Sequence, residues 1–234
     1  MKKRIVVLTG AGVSAESGIN TFRDAGGLWE GHDVMEVASP EGWAKNRELV
    51  LDFYNQRRRQ LFEVQPNAAH TALVELENHF DVQIITQNVD DLHERAGSKN
   101  VVHLHGELLK VRSTVYEHLE YEWPGDLNLG DKCEQGAQLR PHIVWFGEMV
   151  PMLTVAAELT SAANIVMVIG TSMQVYPAAS LVGYAPTDAA VYYIDPRPSV
   201  NYELSKSNHL KVIAENATIG VRKVVDELLA EHIL

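Results

Sequence analysis

Five short apolar runs, rich in β-branched residues and followed by glycine or a polar turn, constrain this chain more than any other feature. Residues 5–8 run into Thr9-Gly10-Ala11-Gly12, and residues 82–86 into Gln87-Asn88-Val89-Asp90. Ile165–Ile169 runs into Gly170-Thr171-Ser172, and Ala190–Ile194 into Asp195-Pro196; Leu210–Ile213 is a weaker fifth case. An unbroken apolar run of this length suits a strand buried on both faces, as in a parallel sheet. Between the runs, residues 48–64, 67–79, 155–163 and 219–232 carry apolar residues at helical spacing. Strands alternating with helices predict an α/β fold: a Rossmann-like parallel sheet with helices on both faces. Such sheets bind ligands beyond the carboxyl ends of their strands, where these polar turns fall.

Two stretches break the alternation. Residues 32–78 read as purely helical, and residues 107–140 as irregular and polar, with turn signals at Trp123-Pro124-Gly125 and Leu129-Gly130-Asp131. Both are expected to form a smaller inserted lobe within one catalytic domain spanning residues 1–234. The large lobe would then comprise residues 1–31, 79–106 and 141–234.

Composition narrows the partners. Hydrophobic residues make up 46% of the 234, enough for a sizeable core, and the formal net charge is −11. Nucleic-acid binding needs a basic face, so nucleic acid is not expected as a partner. The single cysteine, Cys133, allows neither a disulfide framework nor a cysteine-based metal site within one chain. The apolar run at 5–8 is too short for a signal-peptide core. No stretch reaches the ~18 apolar residues of a membrane span. A cytoplasmic protein with no membrane association is the expectation, with a monomer favoured.

Four motifs carry chemistry. The glycine turn Gly10-Ala11-Gly12-Val13-Ser14-Ala15 would let a backbone approach a pyrophosphate, although it also reads as a plain structural turn. A conventional dinucleotide fold would next supply a second strand ending in an acid; residues 22–29 look like a loop instead, which counts against a dehydrogenase. Gln87, Asn88 and Asp90 could orient a carboxamide and ribose hydroxyls, or could simply cap a strand end. His103 and His105 share a face if extended, and either could act as a general base or be a satisfied structural histidine. A metal pair would lack a third ligand at a familiar spacing. Tyr54 and Arg57 stand three apart on a predicted helix and could clamp a carboxylate, or belong to a solvated arginine run.

In this order the motifs resemble the sirtuin family. The likeness runs through GAGVSAESGINTFR (10–23), GLW (27–29), TQNVDDLH (86–93), HLHG (103–106), LRPHIVWFGE (139–148) and GTS (170–172), and covers nearly the whole chain. It implies a Rossmann-like lobe with a small lobe, and NAD-dependent removal of acyl groups from lysine, yielding nicotinamide, O-acyl-ADP-ribose and free lysine. NAD would be a co-substrate and acyl-lysine proteins or peptides the partners. By position, Gly10, Ala11, Gly12, Ala15, Phe22 and Arg23 would line the NAD loop. Gln87, Asn88 and Asp90 would hold the nicotinamide ribose and carboxamide, with Asn88 and Asp90 counted beside the base, His105, as catalytic. Gly170, Thr171 and Ser172 would contact phosphates and ribose, Asp195 the adenosine ribose, and Ala217 the adenine. Val144, Phe146 and Gly147 would belong to an extended edge that pairs with the substrate backbone. Tyr54 and Arg57 match the Y-x-x-R signature of the branch preferring succinyl, malonyl or glutaryl lysine, and Ala25 would leave room for the longer chain.

The zinc module departs from the family pattern. The four positions that usually hold paired cysteines are Ser113, Tyr116, Lys132 and Gln135 here, so no zinc is expected. A sirtuin-type mono-ADP-ribosyltransferase and a non-catalytic NAD- or ADP-ribose-binding module are the competing readings.

Overall fold

The computed structural model describes residues 2–20, 28–29 and 31–233. Strand β1 (Arg4–Thr9) leads through two single turns of 3-10 helix, Ala11–Val13 and Ala15–Ser17. A two-residue hairpin, β2 (Leu28–Trp29) and β3 (His32–Asp33), precedes helices α1 (Val34–Val37), α2 (Pro40–Lys45), α3 (Arg47–Glu63) and α4 (Ala68–Leu76). Then come β4 (Asp81–Thr86), α5 (Leu92–Ala96), β5 (Val101–His103), β6 (Gly106–Ser113), β7 (Glu120–Glu122) and β8 (Leu139–Ile143). The chain finishes with α6 (Leu153–Ser161), β9 (Ile165–Ile169), a 3-10 helix (Ala178–Tyr184), β10 (Ala190–Ile194), α7 (Tyr202–Ser205), β11 (Leu210–Ile213) and α8 (Ala217–Ile233).

Six strands form one sheet in the order β11-β10-β9-β1-β4-β5, every pairing parallel. The expected α/β class holds, and all five anticipated strands are in this sheet. Alternation along β1 explains why its run is wholly apolar. Ile5 and Val7 enter a core with Ala69, Leu73 and Leu76 of α4 and Val221, Val224 and Leu228 of α8. Val6 and Leu8 enter the opposite core with Ala156 of α6, Leu181, Val182 and Leu204. β1 is thus buried on both faces.

A third core lies apart from these two. Val37, Trp43, Val50, Phe53, Tyr54 and Leu61 pack with Leu108, Val111, Leu127, Leu139, Ile143 and Trp145. Its second layer is an antiparallel sheet, β7-β6-β8, in the segment expected to be irregular. That expectation is corrected. The register of β6 against β8 shifts between Gly106 and Val111, which breaks the period-two pattern that would have revealed a strand. Two boundaries move as well. Helix α4 packs with the large sheet rather than with the small lobe, because its apolar face of Ala69, Ala72, Leu73 and Leu76 joins the core of β1 and α8. Residues 32–78 are not purely helical, since β3 opens them.

Candidate active site

The parallel register sets Thr9, Thr86 and His103 side by side on one flank, and Thr9, Ile169 and Ile194 on the other. Every loop leaving those ends emerges at the same edge. The chain crosses from β1 to β4 and later returns to β9 on the other side of β1, so the sheet's switch point lies between β1 and β9. There the two glycine turns meet. A Cβ on Gly12 would lie 2.6 Å from the Gly170 Cα, and Gly170 itself has φ +60°. Glycine is therefore required at both positions for the turns to interlock.

Inside the first turn, Ser14 is fully buried and ties two loops together. Its hydroxyl donates to Asp90 Oδ2 at 3.0 Å and accepts from Asn88 Nδ2 at 3.2 Å. Asp90 Oδ1 accepts from the Leu92 backbone N–H, and the Asn88 N–H bonds to Thr86 Oγ1. Burial pushes the Asp90 carboxyl above its ordinary value, against the Leu92 and Ser14 hydrogen bonds. Gln87 reaches across to Thr171 Oγ1 at 3.2 Å, and the Thr171 carbonyl accepts from the Tyr193 hydroxyl. Ser14 carries no separate role in the sequence reading, although it lies inside the quoted motif; only the fold shows that it couples Asn88 to Asp90.

His105 Nδ1 lies 3.0 Å from the Gln87 carbonyl oxygen. A carbonyl only accepts, so Nδ1 carries the proton in that bond and Nε2 keeps the lone pair of the neutral ring. Burial holds the His105 pKa below the usual histidine value, opposed by the Gln87 carbonyl. The next residue, Gly106, has φ +84°, and a Cβ there would lie 2.0 Å from the His142 carbonyl oxygen. That glycine turns the chain from the large sheet into β6 immediately after the imidazole.

Asp195 is buried after β10 and accepts from the Arg197 N–H; Ala217 is buried at the start of α8. Glu16, just past the exposed Ala15, caps that helix start by accepting from Thr218 N and Oγ1 at 2.9 and 2.7 Å. The glycine-turn segment and the α8 end are thus fastened together. Phe22, Arg23 and Ala25 lie outside the described residues.

Tyr54 and Arg57 share the buried face of α3, which removes the solvated-run reading for Arg57 and Arg58; Arg59 alone is exposed and pairs with Asp126. Trp145 Nε1 donates to the Tyr54 hydroxyl oxygen at 3.1 Å. Burial pushes the Tyr54 pKa up, so the phenol keeps its proton. Arg57 lines a small cavity with Ile19, Gln60, Leu61, Val89, Asp90 and Leu108. That cavity links the small-lobe helix to the Asp90 loop.

The segment holding Val144, Phe146 and Gly147 is not an extended edge. Val144 N–H bonds to the His105 carbonyl, Phe146 N–H to the Ala38 carbonyl, and Trp145 N–H to Glu148 Oε2. Glu148 is itself pinned by Arg140 at 2.6 Å and Arg112 at 3.2 Å, and this pulls residues 145–148 into a turn. The Phe146 ring is left 44% exposed.

A Sir2 family profile matches residues 10–177. The chain belongs to the Sir2 family. A Helicobacter pylori protein named "NAD-dependent protein deacylase" is 61% identical over 97% of this chain and 96% of its own. A solved Sir2 homologue in complex with NAD is 40% identical, with a TM-score of 0.87 over 99% of this chain and 91% of that one. A Sir2 structure bound to an acetylated peptide is 29% identical, with a TM-score of 0.78 over 97% and 93% of the two chains.

Within this Sir2 chain, the positions expected for zinc ligands do not suit the ion. Ser113 Oγ accepts from the Val115 and Tyr116 N–H groups, and Cys133 Sγ lies 3.5 Å from it. Lys132 and Gln135 are exposed. A lysine, an amide, a phenol and a hydroxyl are poor zinc donors beside thiolate or imidazole. Among the described residues, no group of three or more His, Cys, Asp or Glu side chains could hold a metal ion. No helix among them is long and apolar enough to cross a membrane.

Proposed function

We propose that this chain is an NAD-dependent protein-lysine deacylase whose acyl pocket favours acidic groups such as succinyl. The carrying observation is the buried Ser14–Asn88–Asp90 network beside His105 at the carboxyl edge of the sheet, in a chain 61% identical to a deacylase. NAD supplies the ribose that accepts the acyl group, and the products are nicotinamide, O-acyl-ADP-ribose and free lysine.

The residues fit that task. The interlocked turns at Gly10, Ala11, Gly12 and Ala15 and at Gly170, Thr171 and Ser172 would hold the phosphates near the switch point. Asp195 and Ala217 would hold the adenosine end. Gln87, Asn88 and Asp90 would orient the nicotinamide ribose, with Ser14 fixing the last two. Because His105 keeps Nδ1 bound to the Gln87 carbonyl, its Nε2 is the nitrogen left to take a ribose hydroxyl proton.

Tyr54 and Arg57 would receive the acyl carboxylate. Burying that charge without a partner is heavily penalised, and a guanidinium beside a phenolic O–H offsets the cost. Because Trp145 occupies the Tyr54 oxygen as an acceptor, the phenol's own hydrogen is directed elsewhere as a donor. We further propose that the protein works in the cytoplasm as a monomer, and that its small lobe needs no zinc.

The test is mass spectrometry of matched acetyl-, malonyl-, succinyl- and glutaryl-lysine peptides incubated with NAD. Acyl transfer to ADP-ribose with faster turnover of the acidic acyl groups is expected. ADP-ribose on protein side chains, or no nicotinamide release, would overturn the reading.

A further inference from the structure

The deacylase reading employs His105 and leaves its neighbour His103 without a task. His103 ends β5 beside Thr86, and its side chain is 10% exposed. Nδ1 lies 3.2 Å from the Asn88 carbonyl oxygen, and Nε2 lies 2.8 Å from Glu94 Oε1 on α5. A carbonyl and an ionised carboxylate both only accept. Both ring nitrogens therefore face acceptors, which suits the doubly protonated imidazolium. A neutral ring has one N–H and would set a lone pair against the other acceptor.

Two residues on, His105 Nδ1 holds the Gln87 carbonyl. The two imidazoles thus grip consecutive carbonyls of the loop that carries Gln87, Asn88 and Asp90. The Leu108 N–H holds the following carbonyl, that of Val89, at 2.8 Å.

We propose that the His103–Glu94 ion pair is a positioning device for the loop at 87–90. Protonated His103 ties the Asn88 carbonyl to α5, and so sets the Asn88 and Asp90 side chains in the geometry that deacylation uses. This rests on the reading of that loop as the site for the nicotinamide ribose. His103 touches neither NAD nor the acyl group; it acts through Asn88.

The charged and titratable groups around His103 are Glu94 and His93 of α5, Glu107 of β6 and Asp90 of the loop. Burial opposes its charge, but the Glu94 hydrogen bond and charge, with Glu107 and the Asn88 carbonyl, outweigh burial and raise its pKa above the ordinary value. His93, almost wholly buried, stays neutral. Burial moves His105 the opposite way. Two histidines two residues apart thus titrate on opposite sides of the ordinary value, so they can supply a neutral base and a charged support at one pH.

The experiment joins ring-nitrogen NMR titration of His103 to the pH profile of kcat/KM, in wild type and in Glu94→Gln. In the wild type, His103 should titrate above the ordinary histidine value. Glu94→Gln should lower that titration and move the alkaline limb of kcat/KM to lower pH by the same interval, while the acid limb, which belongs to His105, stays in place. His103→Gln, which keeps a donor for Asn88 but no charge, should remove the alkaline limb and lower kcat/KM by about tenfold, the scale of one charged hydrogen bond. Alkaline limbs that coincide in wild type and Glu94→Gln, or a wild-type His103 already neutral at acid pH, would overturn the proposal. Turnover with coincident limbs defeats only the positioning role, whereas no NAD-dependent turnover in the wild type defeats the deacylase reading beneath it.

Discussion

Buried polar groups serve two ends in this molecule. At the carboxyl edge of the large sheet, Ser14, Asn88 and Asp90 bond to one another and to loop backbone, while apolar cores hold the sheet itself. In the small lobe, buried polar groups are the joints. Asn55 donates to the Leu127 carbonyl at 3.0 Å and accepts from the Leu127 N–H at 2.9 Å and from Arg58 at 2.7 Å. Arg58 also donates to the Leu108 carbonyl at 2.9 Å, and Arg140 stacks 3.3 Å over the Trp145 ring while pairing with Glu148. Burial lowers the Arg58 pKa to about 10, a sign of how far that guanidinium is withdrawn from water. Equal burial thus has unequal consequences. Cutting a bond at the edge should cost turnover, and cutting one in the small lobe should cost stability.

The sharpest challenge to that contrast is His105→Ala. It should lower deacylation by at least about 10³-fold, near the upper range for a general base, while the melting temperature and ADP-ribose binding stay close to wild type. A large loss of stability would place His105 among the joints instead. Arg57→Met crosses the divide, since Arg57 sits on a small-lobe helix yet is assigned a substrate. It should depress desuccinylation by roughly ten- to a hundredfold and deacetylation little, the scale of a charged hydrogen bond. Equal losses on both peptides would return Arg57 to structure.

Acid should strike the large lobe through its buried histidines. His70 is fully buried against His93, with ring centroids 4.8 Å apart, and burial lowers its pKa to about 4. The unfolded chain binds this proton at ordinary pKa and the folded one does not, so stability is fully present above pH ~6.5. It falls as pH drops toward 4, by about 3 kcal/mol from His70, with His93 acting in the same direction. Urea melts between pH 4 and 7 would show this slope, and His70→Gln should flatten it.

Asn55→Ala should destabilise the protein by about 2–3 kcal/mol, because the Leu127 N–H and carbonyl lose their buried partners. Ile84→Val on the large sheet should cost only about 1 kcal/mol. If denaturant melts reversed that order, the small lobe would not depend on its polar joints.

The sheet was legible because its central strands are buried on both faces, and a run such as Ile165–Ile169 has no other economical reading. The motif residues were legible because loops at strand ends carry the polar groups. What the reading missed shares one cause. The strand β6 hides behind a register shift, α4 changes lobe, and residues 145–148 turn rather than extend because Glu148 draws them toward Arg140 and Arg112. Each depends on partners distant in sequence.

The order of residues alone determined the alternating α/β fold, the family likeness, and the residue types available at the carboxyl edge of the sheet, since periodicity and strand-end chemistry are local properties. Only the tertiary structure decided that Ser14 links Asn88 to Asp90 across 74 and 76 residues, and that His103 meets Glu94 and the Asn88 carbonyl at once. Hydrogen bonds are short and directional. Which distant groups satisfy one another is settled only when packing brings them within about 3 Å.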